Sequence, residues 1–410
     1  MKTKIKRIIT IVEIITTLLV LIAGTVSACT GFNYLNNGKV LVGKNMDFYD
    51  QDIYIKVYPP EGGKFGRICF EYSWPLPWDP DYMVQYAGMN DQGLWHETLF
   101  TPELPISFEP FKPLLLPNQL NFLETLSTVT EVVDYVESYN LYLIGLVGMN
   151  GAQMFFTDST GASVIVEGDD ILYKEGDFQV CTNFLQSHPD LGGYPCWRYE
   201  TAISMLENLA DLSVDYFRTI FNATHQEGYW DTVVTHVFDV QEKVIYLYYY
   251  HDFEKVIILD MEEEFAKGEH SYHLPSLFEP SNNQAPSDPN KPTGPSSGNA
   301  KEECSYSVLG SWDPDGKRVF YLFNWGDGTD SGWIKPGNMG RVSATHTWEE
   351  QGAYEIKAKA KDIYGKESDW SDPLSVSMTK NKVVSPLFQR FLERYPHLFP
   401  ILRQILLYFE

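Results

Sequence analysis

The sequence predicts an α+β domain followed by a smaller all-β domain, and three observations carry that reading. Short β-branched and aromatic runs fill residues 29–260, interrupted in two places by apolar residues at helical spacing. A segment dominated by Pro, Ser, Asn and Gly, PSLFEPSNNQAPSDPNKPTGPSSGNA over 275–300, then divides the chain. Beyond it, about Ser305–Thr379 offers only short alternating strands.

Taken in order, residues 1–28 read as a signal peptide. Lys2, Lys4, Lys6 and Arg7 form its basic end, an apolar run through Ile22 follows, and Val26-Ser27-Ala28 closes it with small residues. Cleavage after Ala28 would leave Cys29 with a thiol and a free α-amine on one residue. That pairing suits nucleophilic catalysis, because an α-amine titrates near ~8, closer to neutrality than any lysine. Val40-Leu41-Val42 reads as a strand, and a turn at Asn36-Asn37-Gly38 would fold it back beside Cys29, carrying Lys44 and Asp47. A cation near sulfur favours thiolate, and a carboxylate can hold the amine.

Strands are expected at Ile53–Tyr58, Arg67–Tyr72 and Met83–Ala87, with Gly88–Leu94 turning into another. Asn118 to about Tyr139 has helical spacing. Further strands are expected at Leu143–Val147, Ala152–Thr157, Ser163–Glu167 and Phe178–Asn183, then helices at Trp197–Leu209 and Val214–His225. Asp231–Val240, Val244–Tyr250 and Lys255–Leu259 close the domain as strands. In the second domain, strands are expected at Val319–Phe323, Val342–Trp348, Ala353–Asp362 and Leu374–Met378. The tail from Ser385 is apolar at helical spacing, but Pro396, Pro400 and its charges make it too polar to span a bilayer. It can dock on its own domain or lie in a membrane interface.

The net charge of −24 over 410 residues argues against nucleic-acid partners; the first 28 residues carry a net +3, so the remainder is more acidic still. Five cysteines, an odd number in a chain expected outside the cell, imply at least one free thiol. No CxxC pair is present, so a zinc site of thiolates is not expected. Cys181 and Cys196 could pair. His225, His236 and the His270/His273 pair are candidates for acid–base or metal chemistry, though a histidine beside a strand more often has a structural role. Trp74, Trp78 and Trp95 either line a pocket or pack a core.

Cys29-Thr30-Gly31 at the expected mature N-terminus, followed by Gly43-Lys44-Asn45-Met46-Asp47, resembles the choloylglycine hydrolase and penicillin V acylase group. It also resembles the related acyl-transferase-type peptidases, all N-terminal-nucleophile (Ntn) hydrolases. Gly88-Met89-Asn90-Asp91-Gln92-Gly93-Leu94 resembles the Gly-(Met/Val)-Asn-(Glu)-x-Gly-Leu turn of that group, and Thr182-Asn183 its Thr-Asn pair. The resemblance implies an α-β-β-α sandwich over 29–274 in which Cys29 attacks a linear amide and its amine acts as base. Lys44 would support the thiolate, Asp47 orient the amine, and Asn183 hold the oxyanion with a backbone N–H near Leu99–Phe100. Two departures stand out: the group has arginine where this chain has Lys44, and Asp231–His236 lacks the arginine that its bile-salt branch carries on the comparable strand.

Phe323-Asn324-Trp325-Gly326-Asp327-Gly328-Thr329, His346-Thr347-Trp348 and Gly352-Ala353-Tyr354 resemble the polycystic-kidney-disease-type (PKD) β-sandwich, expected over 301–380 before a tail at 381–410. Such modules are spacers or binding domains. The expected protein is therefore secreted or on the cell surface, takes a small N-acylated amide, and needs no cofactor or metal. The PKD-type module and tail are the candidates for surface or membrane-interface contact. Acyl transfer to another amine would use the same thioester. The competing reading is a surface lipoprotein, since Val26-Ser27-Ala28-Cys29 also fits a lipobox in which Cys29 is acylated.

Overall fold

The computed structural model describes residues 29–48, 52–73, 83–104, 112–113, 121–139, 151–209, 211–228, 230–336 and 340–380. The expected signal segment, the strand at Leu143–Val147, Trp74, Trp78 and the tail 381–410 lie outside the described residues. The chain is β-rich with few helices. It divides into two compact units at Asn283/Gln284, with Ile363–Gly365 counted in the first.

Strands of the first unit are β1 (Thr30–Asn36), β2 (Lys39–Phe48), β3 (Ile53–Tyr58), β4 (Arg67–Ser73), β5 (Met83–Asn90), β6 (Trp95–Phe100) and β7 (Ala152–Thr157). They continue as β8 (Ser163–Glu167), β9 (Asp170–Tyr173), β10 (Phe178–Thr182), β11 (Asp231–Asp239), β12 (Val244–Tyr249), β13 (Asp252–Asp260) and β14 (His270–His273). Its described helices are α1 (Phe122–Thr125), α2 (Val129–Glu137), α3 (Trp197–Glu207), α4 (Val214–Thr224), α5 (Met261–Ala266) and α6 (Leu274–Phe278). One sheet has the order β10-β1-β2-β11-β12-β13, the other β14-β3-β4-β5-β6-β7-β8-β9.

Asn37 and Gly38 both have positive φ, +50° and +80°, which gives the tight β1–β2 turn its twist and pairs Thr30 with Asn45. Strand alternation then divides the side chains. Phe32, Leu41, Val180 and Val237 pack with Ala202, Leu206, Phe217 and Phe221 of α3 and α4. From the other face of β1, Asn33 Nδ2 donates to Thr157 Oγ1 at 2.8 Å and Ser163 Oγ at 2.6 Å on the eight-stranded sheet. That sheet packs Leu94, Phe156 and Val164 against Leu123, Val129, Val132 and Val136 of α1 and α2.

The single helix expected over Asn118–Tyr139 is two. Thr128 Oγ1 accepts from the Glu131 N–H, and the Glu131 carboxylate accepts from the Thr128 N–H, so a capping box starts a new helix there. The apolar spacing runs through the break because both pieces lie on one sheet. β9, α5, β14 and α6 were not expected from the sequence. His270 and His273 fall on β14, where each meets its own carboxylate: Glu264 at 2.9 Å and Asp52 at 3.5 Å. Among the described residues no group of three or more His, Cys, Asp or Glu could hold a metal.

The second unit contains β15 (Ser297–Asn299), β16 (Cys304–Val308), β17 (Phe320–Asn324), β18 (Val342–His346), β19 (Gly352–Lys361) and β20 (Leu374–Thr379). β15-β20-β19-β17 form one sheet and β16-β18 another, over a core of Tyr306, Phe323, Trp325, Trp348 and Ile356. The Trp325 ring stacks on Phe323 and His346 at 5.2 and 4.8 Å. Gly326 is required next to it: at φ +78° a Cβ would stand 2.8 Å from the Glu355 backbone. Part of the segment expected to be linker is structured, since α6 reaches Phe278 and β15 pairs in parallel with β20.

Candidate active site

Cys29 stands immediately before β1, buried at 3% exposure. Its neighbours on β2 are Lys44, at the strand centre, and Asp47 near its end. Three residues apart on a strand, these two point to opposite faces. Lys44 Nζ reaches the eight-stranded sheet, 2.5 Å from Glu97 Oε1 and 2.8 Å from the Thr98 carbonyl. Asp47 turns the other way, accepting from Thr232 Oγ1 on β11, with Arg198 of α3 at 3.9 Å. Cys29 is between them: the Asp47 backbone N–H donates to Sγ. Cys29, Lys44 and Asp47 line one small cleft with Met46, Phe48, Tyr72, Val84, Tyr86, Thr98, Phe100 and Ala152.

Asn183 follows β10, the strand beside β1, and the structure brings it to the Cys29 backbone. Its Oδ1 accepts from the Cys29 N–H, and its Nδ2 donates to the Phe100 carbonyl at 2.6 Å. Asn183 thus touches both the nitrogen of the expected nucleophile and the strand end where a backbone donor is expected. Asn90, by contrast, is structural: its side chain ties the turn to Leu123, Leu126 and Leu94.

Two charged residues that the sequence did not single out complete the cluster. Arg198 donates to the Cys29 carbonyl and approaches Thr30 Oγ1 (3.1 Å) and Asn183 Oδ1 (3.3 Å). An arginine was sought on Asp231–His236; this one comes from the first turn of α3, where neither spacing nor motif marks it. Glu97 is fully buried between Lys44 and His236, whose Nε2 lies 3.2 Å from Glu97 Oε2. Its signal was available: an acidic residue at an inward strand position needs an inward cation, and Lys44 is one. His236 packs its ring against Phe70 at 4.9 Å and faces Glu97 across 3.2 Å. Trp95 is a core residue, edge-on to Phe155.

The electrostatics follow from burial. Burial raises the Cys29 thiol above its ordinary value; the Lys44 charge opposes that, and Asp47 adds to it. Burial works against a charged Lys44, yet the adjacent Cys29 and Glu97 carry its value above the usual one. Burial pushes Asp47 up to about 8, against the pull of Arg198, Thr232 and Lys44. All five cysteines are free, so Cys181 and Cys196 are unpaired.

Residues 292–372 match the PKD domain family, starting inside the segment expected to be linker. A stretch of 75 residues is 39% identical to Collagenase ColA and to Collagenase ColQ1, both of Bacillus cereus; it covers 18% of this chain and 7% of each collagenase. The PKD domain of an M14-like peptidase from Thermoplasmatales archaeon SCGC AB-540-F20 is 40% identical, with 99% of it covered by 24% of this chain at a TM-score of 0.22. A tetra-tandem repeat from the extending region of a large adhesion protein is 9% identical over 87% of this chain and 74% of its own, at a TM-score of 0.17. Residues 292–372 form a PKD domain.

Proposed function

We propose that residues 29–274 are a cysteine Ntn hydrolase of α-β-β-α layering that cleaves a linear amide, exported to the cell exterior or surface with the PKD domain attached. The observation that carries this is the burial of Cys29 in one cleft with Lys44 and Asp47. Once residues 1–28 are removed, Cys29 Sγ attacks the amide carbonyl and its α-amine takes the thiol proton. The tetrahedral intermediate collapses, the C–N bond breaks, and the amine returns the proton to the leaving nitrogen. Water, deprotonated by the same amine, then hydrolyses the thioester. The raised thiol value supports the need for a base, since burial leaves little thiolate at neutral pH. Lys44 stabilises the developing thiolate, and Arg198 and Asn183 hold the Cys29 backbone. The apolar lining favours an uncharged acyl group. Transfer of the acyl group to a second amine remains the variant of this reading.

The lipoprotein reading fits the first unit poorly. A diacylglycerol on Sγ has to reach a membrane, whereas the thiol is enclosed beside buried Lys44 and Asp47. Intact mass and N-terminal sequencing of the exported protein, with turnover of N-acyl amides by wild type and Cys29→Ala, test the proposal. A free Cys29 start and activity that Cys29→Ala abolishes are expected. A lipid adduct on Cys29, or activity surviving Cys29→Ala, overturns it.

A further inference from the structure

Tyr86 belongs to the cleft yet has no task in the reaction as written above. Its ring lines the cavity with Cys29, and Lys44 Nζ lies 5.2 Å from the ring centroid. Its hydroxyl is buried and has no hydrogen-bond partner among the described residues. Burying such a group unpaired costs on the order of 1–3 kcal/mol, so a phenylalanine would be the more stable choice there. Another tyrosine of the same sheet shows the contrast in kind: Tyr58 Oη donates to Glu71 at 3.2 Å.

The amide expected to stabilise the oxyanion is already engaged. Asn183 Oδ1 takes the Cys29 N–H and faces Arg198, while Nδ2 gives a short bond to the Phe100 carbonyl. The cleft therefore has a nucleophile and a cation but few directed donors for a developing alkoxide. The unpartnered phenol is such a donor, on the wall facing β2.

We infer that Tyr86 is a catalytic residue of the proposed amidase: its O–H donates to the substrate carbonyl oxygen as that atom becomes the oxyanion. The inference rests on the amidase reading. The chemistry balances without a proton transfer from tyrosine. As the Sγ–carbon bond forms, the carbonyl π pair moves onto oxygen and is held by the phenol hydrogen. On collapse the pair reforms the C=O bond, the leaving amine departs with the proton from the α-amine, and Tyr86 is unchanged. Burial, with Glu97, Tyr72 and Cys29 nearby, raises the phenol well above its ordinary value, which keeps it a donor at working pH.

The test uses the processed full chain with para-nitroanilides of hexanoic, dodecanoic and phenylacetic acid. Tyr86→Phe is expected to lower kcat roughly 10²-fold, as loss of one oxyanion donor does, with KM within about 3-fold of wild type. Alkylation of Cys29 by iodoacetamide and the thermal midpoint should be unchanged or improved. A fluorinated tyrosine at position 86, a stronger donor of the same shape, should retain or raise kcat, and it tests the idea even if the phenylalanine variant misfolds. Unchanged kcat in Tyr86→Phe, or a change confined to KM, overturns the inference while Cys29-dependent turnover leaves the amidase reading standing. Absence of turnover by wild type on every anilide, with Cys29→Ala no different, removes both.

Discussion

The interiors of the two units use the same residue types in opposite ways. In the PKD unit, His346 and Asp327 pair at 2.7 Å with both side chains partly exposed, and Trp325, Trp348 and Phe323 fill the core, while Asp313, Lys361 and Asp362 are buried elsewhere in the unit. Between the sheets of the first unit, Lys44, Glu97 and His236 are buried, and Asp47 and Arg198 are buried beside them. Taking charges out of water costs several kcal/mol each, and a hydrophobic replacement is often as stable. The first arrangement is what stability alone selects. The second needs another reason, and a poised thiol supplies one.

The largest expected effect is on chemistry. Cys29→Ala should lower amide hydrolysis at least ~10³-fold while the thermal midpoint holds, checked by anilide turnover and calorimetry. Survival of activity would remove the reason for the buried charges.

Next comes the ion pair. Lys44→Met leaves buried Glu97 without its short partner and should destabilise the first unit by about 3–5 kcal/mol. Lys44→Met with Glu97→Leu should restore most of that stability, yet leave turnover low. Denaturant melts of the single and double variants separate the two effects; wild-type turnover in the double variant would make the pair purely structural.

In the PKD unit the corresponding loss is one of packing. Trp325→Ala should cost about 3–5 kcal/mol through the cavity it leaves. Its transition should move alone in calorimetry while anilide turnover is retained. His346→Ala should cost about 0.2–1 kcal/mol, as partly exposed pairs do.

A subtler effect lies in pH. Asp47 goes from an ordinary 3.8 to about 8 in the folded chain that retains residues 1–28. Between those values the native state keeps a proton that the unfolded state releases, so stability is full below about 4 and declines as pH rises towards 8. Urea midpoints across that window should fall in the unprocessed chain and flatten in Asp47→Asn. Removal of residues 1–28 places an α-ammonium beside the carboxylate and should shrink the slope.

The sequence disclosed the parts with local causes. Ile53–Tyr58, Ala152–Thr157 and Ser163–Glu167 have the bounds their patterns suggested, and Asn37-Gly38 turns where a two-residue hairpin needs positive φ. The break in the helix was legible too, in Thr128 and Glu131, but continuous apolar spacing concealed it. Cys29, Lys44, Asp47 and Asn183 were picked out by motif, and the structure brings them together without testing their roles. Arg198 and Thr232 could not be found that way. Each meets the site only through pairing of distant segments, and no property of a short window reports such a meeting. The opposite facing of Lys44 and Asp47 follows from strand alternation alone and could have been foreseen.

The wide separation of these residues along the chain sets a clock on synthesis. Asp47 bonds Thr232 across 185 positions, and Cys29 bonds Asn183 across 154. At about 5–20 residues per second, roughly 10–40 s of elongation pass between the emergence of Cys29 and that of Thr232 on β11. Throughout that interval the thiol is uncovered, and every oxidant or stray disulfide it meets is a competitor. Chains halted before β11 should therefore alkylate fully at Cys29, and full-length ones slowly, so that protection of one sulfur counts the molecules whose sheet has closed.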